Sequence, residues 1–267
     1  IARSIYFHAV VTDLFRPFLD SPFQTERLSS FSTDFATPEA VYTASVAQLK
    51  RLLLLYRLRH KSASLSMLWK TAVVYVANAT IREAGTAAAM AQAAAMAQAA
   101  AMAQAAAMAQ AAAMAQAEPP DNDDDDDDDD DNDNSNSNSK SNNRNINGND
   151  SNQPTAEERR FYLDLCLSAL EDLYVSFPVF GSLAQGMVGM AIRHEAIPAE
   201  KAAGVLRRLG ETARRRAAGQ GMTDKAEARW IVDFDLAMTD PEAAQGRHLA
   251  EQLGGLMLSE SGVEDQG

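Results

Sequence analysis

His8 and Asp13 close the short run HAVVTD, a histidine and a carboxylate separated by four residues. A carboxylate that orients an imidazole lets it act as a general base. The surrounding residues read as helix, however. Five positions turn a helix by about 500°, which leaves the two side chains about 140° apart and poorly placed to share a hydrogen bond. Asp233, Asp235 and Asp240 form a second carboxylate group, but no histidine stands at helical spacing to complete a metal site with them. His194 and His248 are isolated. Cys166 is the only cysteine; it falls on an apolar helix, where it is expected to act as a small buried hydrophobe rather than a nucleophile. One cysteine also excludes an internal disulfide framework and any multi-cysteine metal site. No glycine-rich phosphate loop or G-x-S-x-G turn occurs. The expectation is a chain with no catalytic, cofactor-binding or metal-binding residues, and not an enzyme.

Two basic stretches raise binding rather than catalysis. Lys50, Arg51, Arg57, Arg59, His60 and Lys61 decorate an apolar helix, a pattern shared with membrane-surface and calmodulin-target helices. The preferred reading is a core helix with a basic outer edge, because its apolar face matches neighbouring helices that need a partner. Arg207, Arg208, Arg214, Arg215 and Arg216 suit a nuclear-import or phosphate-contacting patch. They suit better a solvated helix end, since arginines complement a helix C-terminus.

The elements that would position these residues are helical. Thr37-Pro38-Glu39 is a helix start, a capping residue followed by proline at the first helical position. Tyr42, Val46, Leu49, Leu53 and Tyr56 then follow a 4-3-4-3 spacing on one face. A second helix is expected after Ser62, with Leu65, Leu68, Trp69, Ala72, Val73 and Val76 on its apolar side and Lys70, Thr71 and Asn78 elsewhere. Thr155 with Glu158 makes a capping box, opening a helix through Phe161, Leu165, Ala169 and Leu173 to a break at Pro178. Further helices are expected at 179–195, 198–216 and 239–257, the last from the start signal Thr239-Asp240-Pro241-Glu242. Only WIVDFDL at 230–236 is ambiguous with a strand. The fold class is all-α, a multi-helix domain interrupted by a long low-complexity insert.

That insert carries most of the charge. The 267-residue chain has a formal charge of −13. Eleven of its 37 acidic residues lie between Asp121 and Asp133, and setting them aside leaves 26 against 24 basic residues. The remainder is therefore nearly neutral. Before the aspartates, the unit AAAMAQ repeats five times over 87–116. Its residues favour helix, but a period of six turns each methionine about 120° from the last, leaving no stripe to bury and no heptad seam. Recurring glutamines and weakly apolar alanines also argue against a membrane span. The repeat reads as an exposed, partly helical spacer. From Asp121 to Gln153 only Ile146 is bulky and apolar, so this stretch is expected to be disordered. It lacks the aromatic interleaving of an acidic activation domain, and it lacks EF-hand spacing for calcium. The expected organisation is a first helical part at 1–84, the insert at 85–154, a second helical part at 155–258 and a disordered tail at 259–267.

Four stretches outside the insert resemble one family. YFHAVVTDLFRPFL near the start, the run at 44–79, EDLYVSFPVFGSLAQGMVGMAIRHEAI at 171–197 and VDFDLAMTDPEAA at 232–244 resemble the fungal-specific transcription factor domain. This is the regulatory region of Zn(II)2Cys6 binuclear-cluster proteins, and the likeness is to its nitrogen-assimilation-activator-like subgroup. It lies in helical hydrophobic patterns rather than in a reactive motif. It implies a nuclear regulator of RNA polymerase II transcription acting through transcriptional cofactor proteins, intramolecular partners or a small effector. Zinc and DNA contacts would belong to a six-cysteine cluster that this chain, with one cysteine, does not contain, and the full-length protein would be a candidate homodimer. The start at Ile1, inside apparent helix, suggests a fragment or truncated gene. Two other readings stand beside this one: a stand-alone helical interaction or scaffold protein, and, more remotely, an enzyme. The last rests on His8 and Asp13, whose spacing resembles the glycerolipid acyltransferase motif.

Overall fold

A computed structural model of the chain describes residues 1–30, 36–60, 67–115, 154–219 and 229–261. These residues form seven α-helices and no sheet: α1 (Ala2–Phe15), α2 (Pro38–Arg59), α3 (Met67–Ala115), α4 (Ala156–Ser176), α5 (Gly181–Arg193), α6 (Ala199–Gly219) and α7 (Gly246–Ser261). Short 3-10 turns at Arg16–Phe18, Pro178–Phe180 and Leu236–Met238 join them. The protein is all-α, as its periodicity predicts.

The chain divides into two compact units, one built from Ile1–Ala88 with Pro154–Gly267, the other spanning Ala89–Gln153. In the first, the early part of α3 is the central helix. Trp69, Val73, Val76, Ala77 and Ile81 are wholly or almost wholly buried, and from Ala72 to Ile81 every residue except Tyr75 is buried. Such a helix is apolar all round because other helices cover it on all sides. α2 supplies Leu49 and Leu53, α4 Leu163, Leu170 and Leu173, and α5 Leu183, Met187 and Val188 to the same core. In the second unit, the described residues 89–115 continue α3 as helix. Met90, Met96, Met102 and Met108 are all exposed, consistent with a period that gives no buried stripe.

Local signals explain the helix ends. Thr37 Oγ1 accepts from Ala40 N at 3.2 Å, and Thr155 Oγ1 accepts from Glu158 N at 3.1 Å. Each satisfies one of the free amides of its first helical turn. α4 stops at Ser176, two residues before Pro178, since proline disfavours helical backbone in the residue ahead of it. α5 and α7 pack closely through glycines. A Cβ on Gly186 would lie 2.6 Å from Gly246 Cα, so only glycine permits this backbone approach.

Three expectations are corrected. The helix expected from Thr239 begins at Gly246. Asp240 Oδ1 accepts from Ala243 N at 3.0 Å and caps a single turn. The chain then leaves helical geometry so that Gly246 N can donate to Trp230 O at 2.9 Å and Val232 N to Ala244 O at 2.9 Å. Tertiary pairing overrides the start signal. WIVDFDL correspondingly makes one isolated antiparallel bridge, Ile231 with Gln245, and no strand. Asn78, expected off the apolar side of its helix, is 5% exposed. α7 continues through 259–261, past the expected boundary at 258. Among the expected features, Ser62 and Leu65 at the second helix start, the run 116–153 and residues 262–267 lie outside the described residues.

Candidate functional site

The C-terminal loop between α6 and α7 is tied to the core by polar side chains from distant parts of the sequence. Asn78 Nδ2 donates to Val232 O at 2.6 Å, while Asn78 Oδ1 accepts from Phe234 N at 3.1 Å. A buried amide that bonds on both sides of a loop residue fixes that loop's register. Between these two contacts sits Asp233, 5% exposed. Its Oδ1 accepts from Leu236 N at 2.9 Å and Asp235 N at 3.2 Å. Its Oδ2 accepts from Arg193, with His194 Nε2 4.0 Å away. Asp235 Oδ1 receives Arg16 Nη1 at 2.9 Å and Arg82 Nη1 at 3.0 Å, and Arg82 reaches on to Asp20 at 2.6 Å.

Arg16 is the most buried charge in this network, at 4% exposure. Its guanidinium lies 5.0 Å from the Phe234 ring centroid and 5.8 Å from that of Tyr42, within cation–π range. Its Nε and Nη2 have no hydrogen-bond partner among the described residues, and neither has the buried Tyr42 hydroxyl. Asp233 and Asp235 therefore serve as anchors of a loop, each engaged by arginine. Asp240 caps a turn. Among the described residues, no group of three or more His, Cys, Asp or Glu is arranged to hold a metal ion.

His8 and Asp13 are not brought together. Asp13 accepts the Tyr75 hydroxyl, whereas the imidazole Nδ1 of His8 is buried without a partner among the described residues. Burial pushes the His8 pKa below its ordinary value. The sequence gives no hint of Tyr75 as the partner of Asp13, because the two lie 62 positions apart. His194 packs on α3 instead of standing alone, since a Cβ at Gly85 would meet its Nδ1 at 3.0 Å. Cys166 is fully buried, and burial pushes its thiol pKa far above the usual range.

The basic stretches separate into spent and free charges. Lys50, expected on an outer edge, is buried at 4% exposure. Its Nζ lies 2.8 Å from Glu83 Oε2 and 5.4 Å from the Tyr162 ring centroid. Burial raises the Glu83 pKa, and the Lys50 charge opposes that rise. Arg57 pairs with Asp172 at 2.9 Å. Arg51, Arg59 and His60 are exposed, and Lys61 lies outside the described residues. On α6, Arg208 forks onto Glu171 at 2.7 and 2.9 Å, the bidentate geometry of a guanidinium on a carboxylate. Arg216 donates to the carbonyls of Tyr174 and Val175 near the end of α4. Arg207 and Arg214 face solvent, as does Arg215, which lies 4.0 Å from Glu211 one turn earlier.

One cleft, of about 310 Å³, opens between α3, the first turns of α4 and the turn after α5. Ala84, Ala87 and Ala88 leave the space, while Arg159, Arg160 and Glu195 bring charge to its rim. Thr80 also lines it, and the Thr80 hydroxyl is wholly buried without a partner among the described residues. Ala87 and Ala88 thus belong to the compact core unit, past the expected boundary at 84. Glu195 stands at φ 55. It occupies the left-handed position of a Schellman turn, in which Ala196 N donates to Ala191 O at 2.8 Å and Glu195 N to Ile192 O at 2.9 Å. Glycine is the usual residue there. A cleft with guanidinium and carboxylate groups on its rim and a buried hydroxyl in its lining offers polar contacts to a small polar molecule.

Compared with protein-family models, curated proteins and solved structures, the chain matches none. No helix among the described residues is long and apolar enough to cross a membrane.

Proposed function

We propose that the helical unit is the regulatory domain of a fungal Zn(II)2Cys6-type transcription factor. It would act in the nucleus and control RNA polymerase II transcription through contacts with cofactor proteins, with other parts of the protein or with a small effector. The supporting observation is convergence. The four stretches that resemble that family's regulatory region lie far apart in sequence, yet Leu49, Trp69, Leu173, Met187 and Val232 from three of them enter one core, and Phe15 and Leu19 from the first pack with Val46 and Ala79 of the second. The polar network adds to this, joining Arg16, Asn78, Arg193 and Asp233, one from each stretch. The cleft beside Arg159, Arg160 and Glu195 is the natural place for an effector. DNA reading and zinc would reside in a cluster outside this chain.

The test is a fusion of residues 1–267 to a heterologous DNA-binding domain, read out on a reporter promoter. The proposal expects the reporter to rise or fall severalfold relative to the DNA-binding domain alone. It also expects the reading frame upstream of Ile1 to encode C-x2-C-x6-C spacing followed by a basic linker. A silent fusion together with an upstream frame lacking cysteines would overturn it. A second reading, a stand-alone helical interaction protein, is favoured by one observation: the apolar outer face of α1.

A further inference from the structure

α1 buries one face and leaves the opposite face apolar. Ile5, Ala9, Thr12 and Phe15 point inward, against α2 and the core. Outward lie Tyr6 at 48%, Phe7 at 62%, Val10 at 65% and Leu14 at 62% exposure, followed by Phe18 at 40%. At about 100° per residue, Arg3, Tyr6, Phe7, Asp13 and Leu14 all fall within about 60° of Val10. This is a contiguous stripe, with one cation toward its start and one anion toward its end. We infer that this face of α1 pairs antiparallel with the same face of a second copy of the chain.

Charge supports a second copy as the occupant. With Val10 at the crossing point, Arg3 of one copy lies opposite position 17 of the other, about one helical turn from Asp13. The two-fold axis repeats that pairing at the far end, as an isologous interface requires. Antiparallel helices also set opposite macrodipole ends side by side. Arg3 has no ion-pair partner among the described residues, so it is available for this role.

Area supports it as well. An aromatic side chain presents about 150–250 Å², so the exposed fractions of the five stripe residues amount to roughly 500 Å² per copy. A standard interface takes about 800 Å² per partner. Arg3, Asp13 and Pro17, all exposed, add a rim to this area. An apolar centre with a charged rim is the ordinary anatomy of an interface.

The experiment is sedimentation equilibrium of the full 267-residue chain at micromolar to tens of micromolar concentration, compared with F7E/V10E/L14E. All three positions are exposed, so circular dichroism and thermal unfolding should match the parent. The parent should sediment as a dimer, and the triple variant should weaken dimerisation at least tenfold. R3E should weaken it as well. A parent that stays monomeric throughout overturns the inference. So does a dimer unaffected by the triple substitution. Parent protein that binds phosphatidylserine vesicles through these residues while remaining monomeric would assign the face to a membrane and overturn it too.

Discussion

Arg16 and Asp235, 219 positions apart in the chain, are held 2.9 Å apart, with the guanidinium buried and the carboxylate partly open to solvent. A charge removed from water is tolerated only with its counter-charge in place, because its desolvation penalty is large. Asp235→Asn should therefore destabilise the domain by about 2 kcal/mol, less than for a fully dry pair. Arg16→Met added to Asp235→Asn should recover part of that loss, since the stranded charge is gone. Urea unfolding of the three proteins measures both steps. Equal stability of the single variant and parent would show that Asp235 does not anchor Arg16.

Glu195 in the left-handed region is a local cost that the sequence does not explain by packing. A side chain in this conformation costs about 1 kcal/mol, and glycine avoids that penalty. Glu195→Gly should raise stability by about 0.5–1 kcal/mol, the lower end reflecting glycine's freer unfolded chain. If the cleft holds an effector, the same substitution should weaken that effector's regulation of a reporter fusion. Strain kept at a cleft is the pattern of a functional position.

Gly186→Ala tests the contact of α5 with α7. The added methyl would meet the Gly246 backbone at 2.6 Å, and backbone cannot swing aside as a side chain does. The expected loss is about 1–3 kcal/mol, the usual effect of overpacking. Gly204→Ala is the control, because its Cβ would meet only the flexible end of Arg208, at 3.7 Å. It should be neutral or stabilising, as alanine favours helix.

The helices were legible because they are long, capped and periodic. Thr37 and Thr155 carry side-chain oxygens that bond within the next turn, which is local chemistry. The candidate site was legible only in its residues. Asp233 and Asp235 stood out as carboxylates, but their partners Arg193, Arg16 and Arg82 come from three other elements, and no spacing rule reaches across them. Asn78 looked like an off-face polar residue because helical periodicity assumes one buried side, whereas the early part of α3 is buried nearly all round. Thr239 and Asp240 carried a sound helix start that the pairing of residues 244–246 with 230–232 displaced. Lys50 failed for a related reason, since Glu83, 33 positions away, makes its burial possible.

Cys166 gives a pH dependence with a definite sign. Burial raises its folded pKa above the unfolded value, which is about 8.5. Below pH 8.5 the thiol is neutral in both states, and the stability associated with its burial is fully present. As pH rises past that value only the unfolded chain loses the proton, so stability should fall by about 1.4 kcal/mol per unit. Chemical denaturation at pH 7.5, 8.5 and 9.5 should show this slope in the parent and a flatter one in Cys166→Ala. Native protein should also resist a thiol reagent until it unfolds, because the thiolate is the reactive form.

Residues 89–153 form a unit of their own, and the core unit closes without them. Ala88 and Ala156 both border the same cleft, so the two ends of the core chain already lie near one another. Loop closure grows only as the logarithm of length, about 0.6 kcal/mol per doubling, so shortening a long connection changes stability little and in the favourable direction. Replacing 89–153 by a short glycine–serine link should leave the cooperativity of thermal unfolding intact and shift its midpoint by only a few degrees. The formal charge should fall toward neutrality with the aspartates removed, making solubility more sensitive to salt and pH. A broad or split transition would instead show that residues after Ala88 help to hold α3 and α4 together.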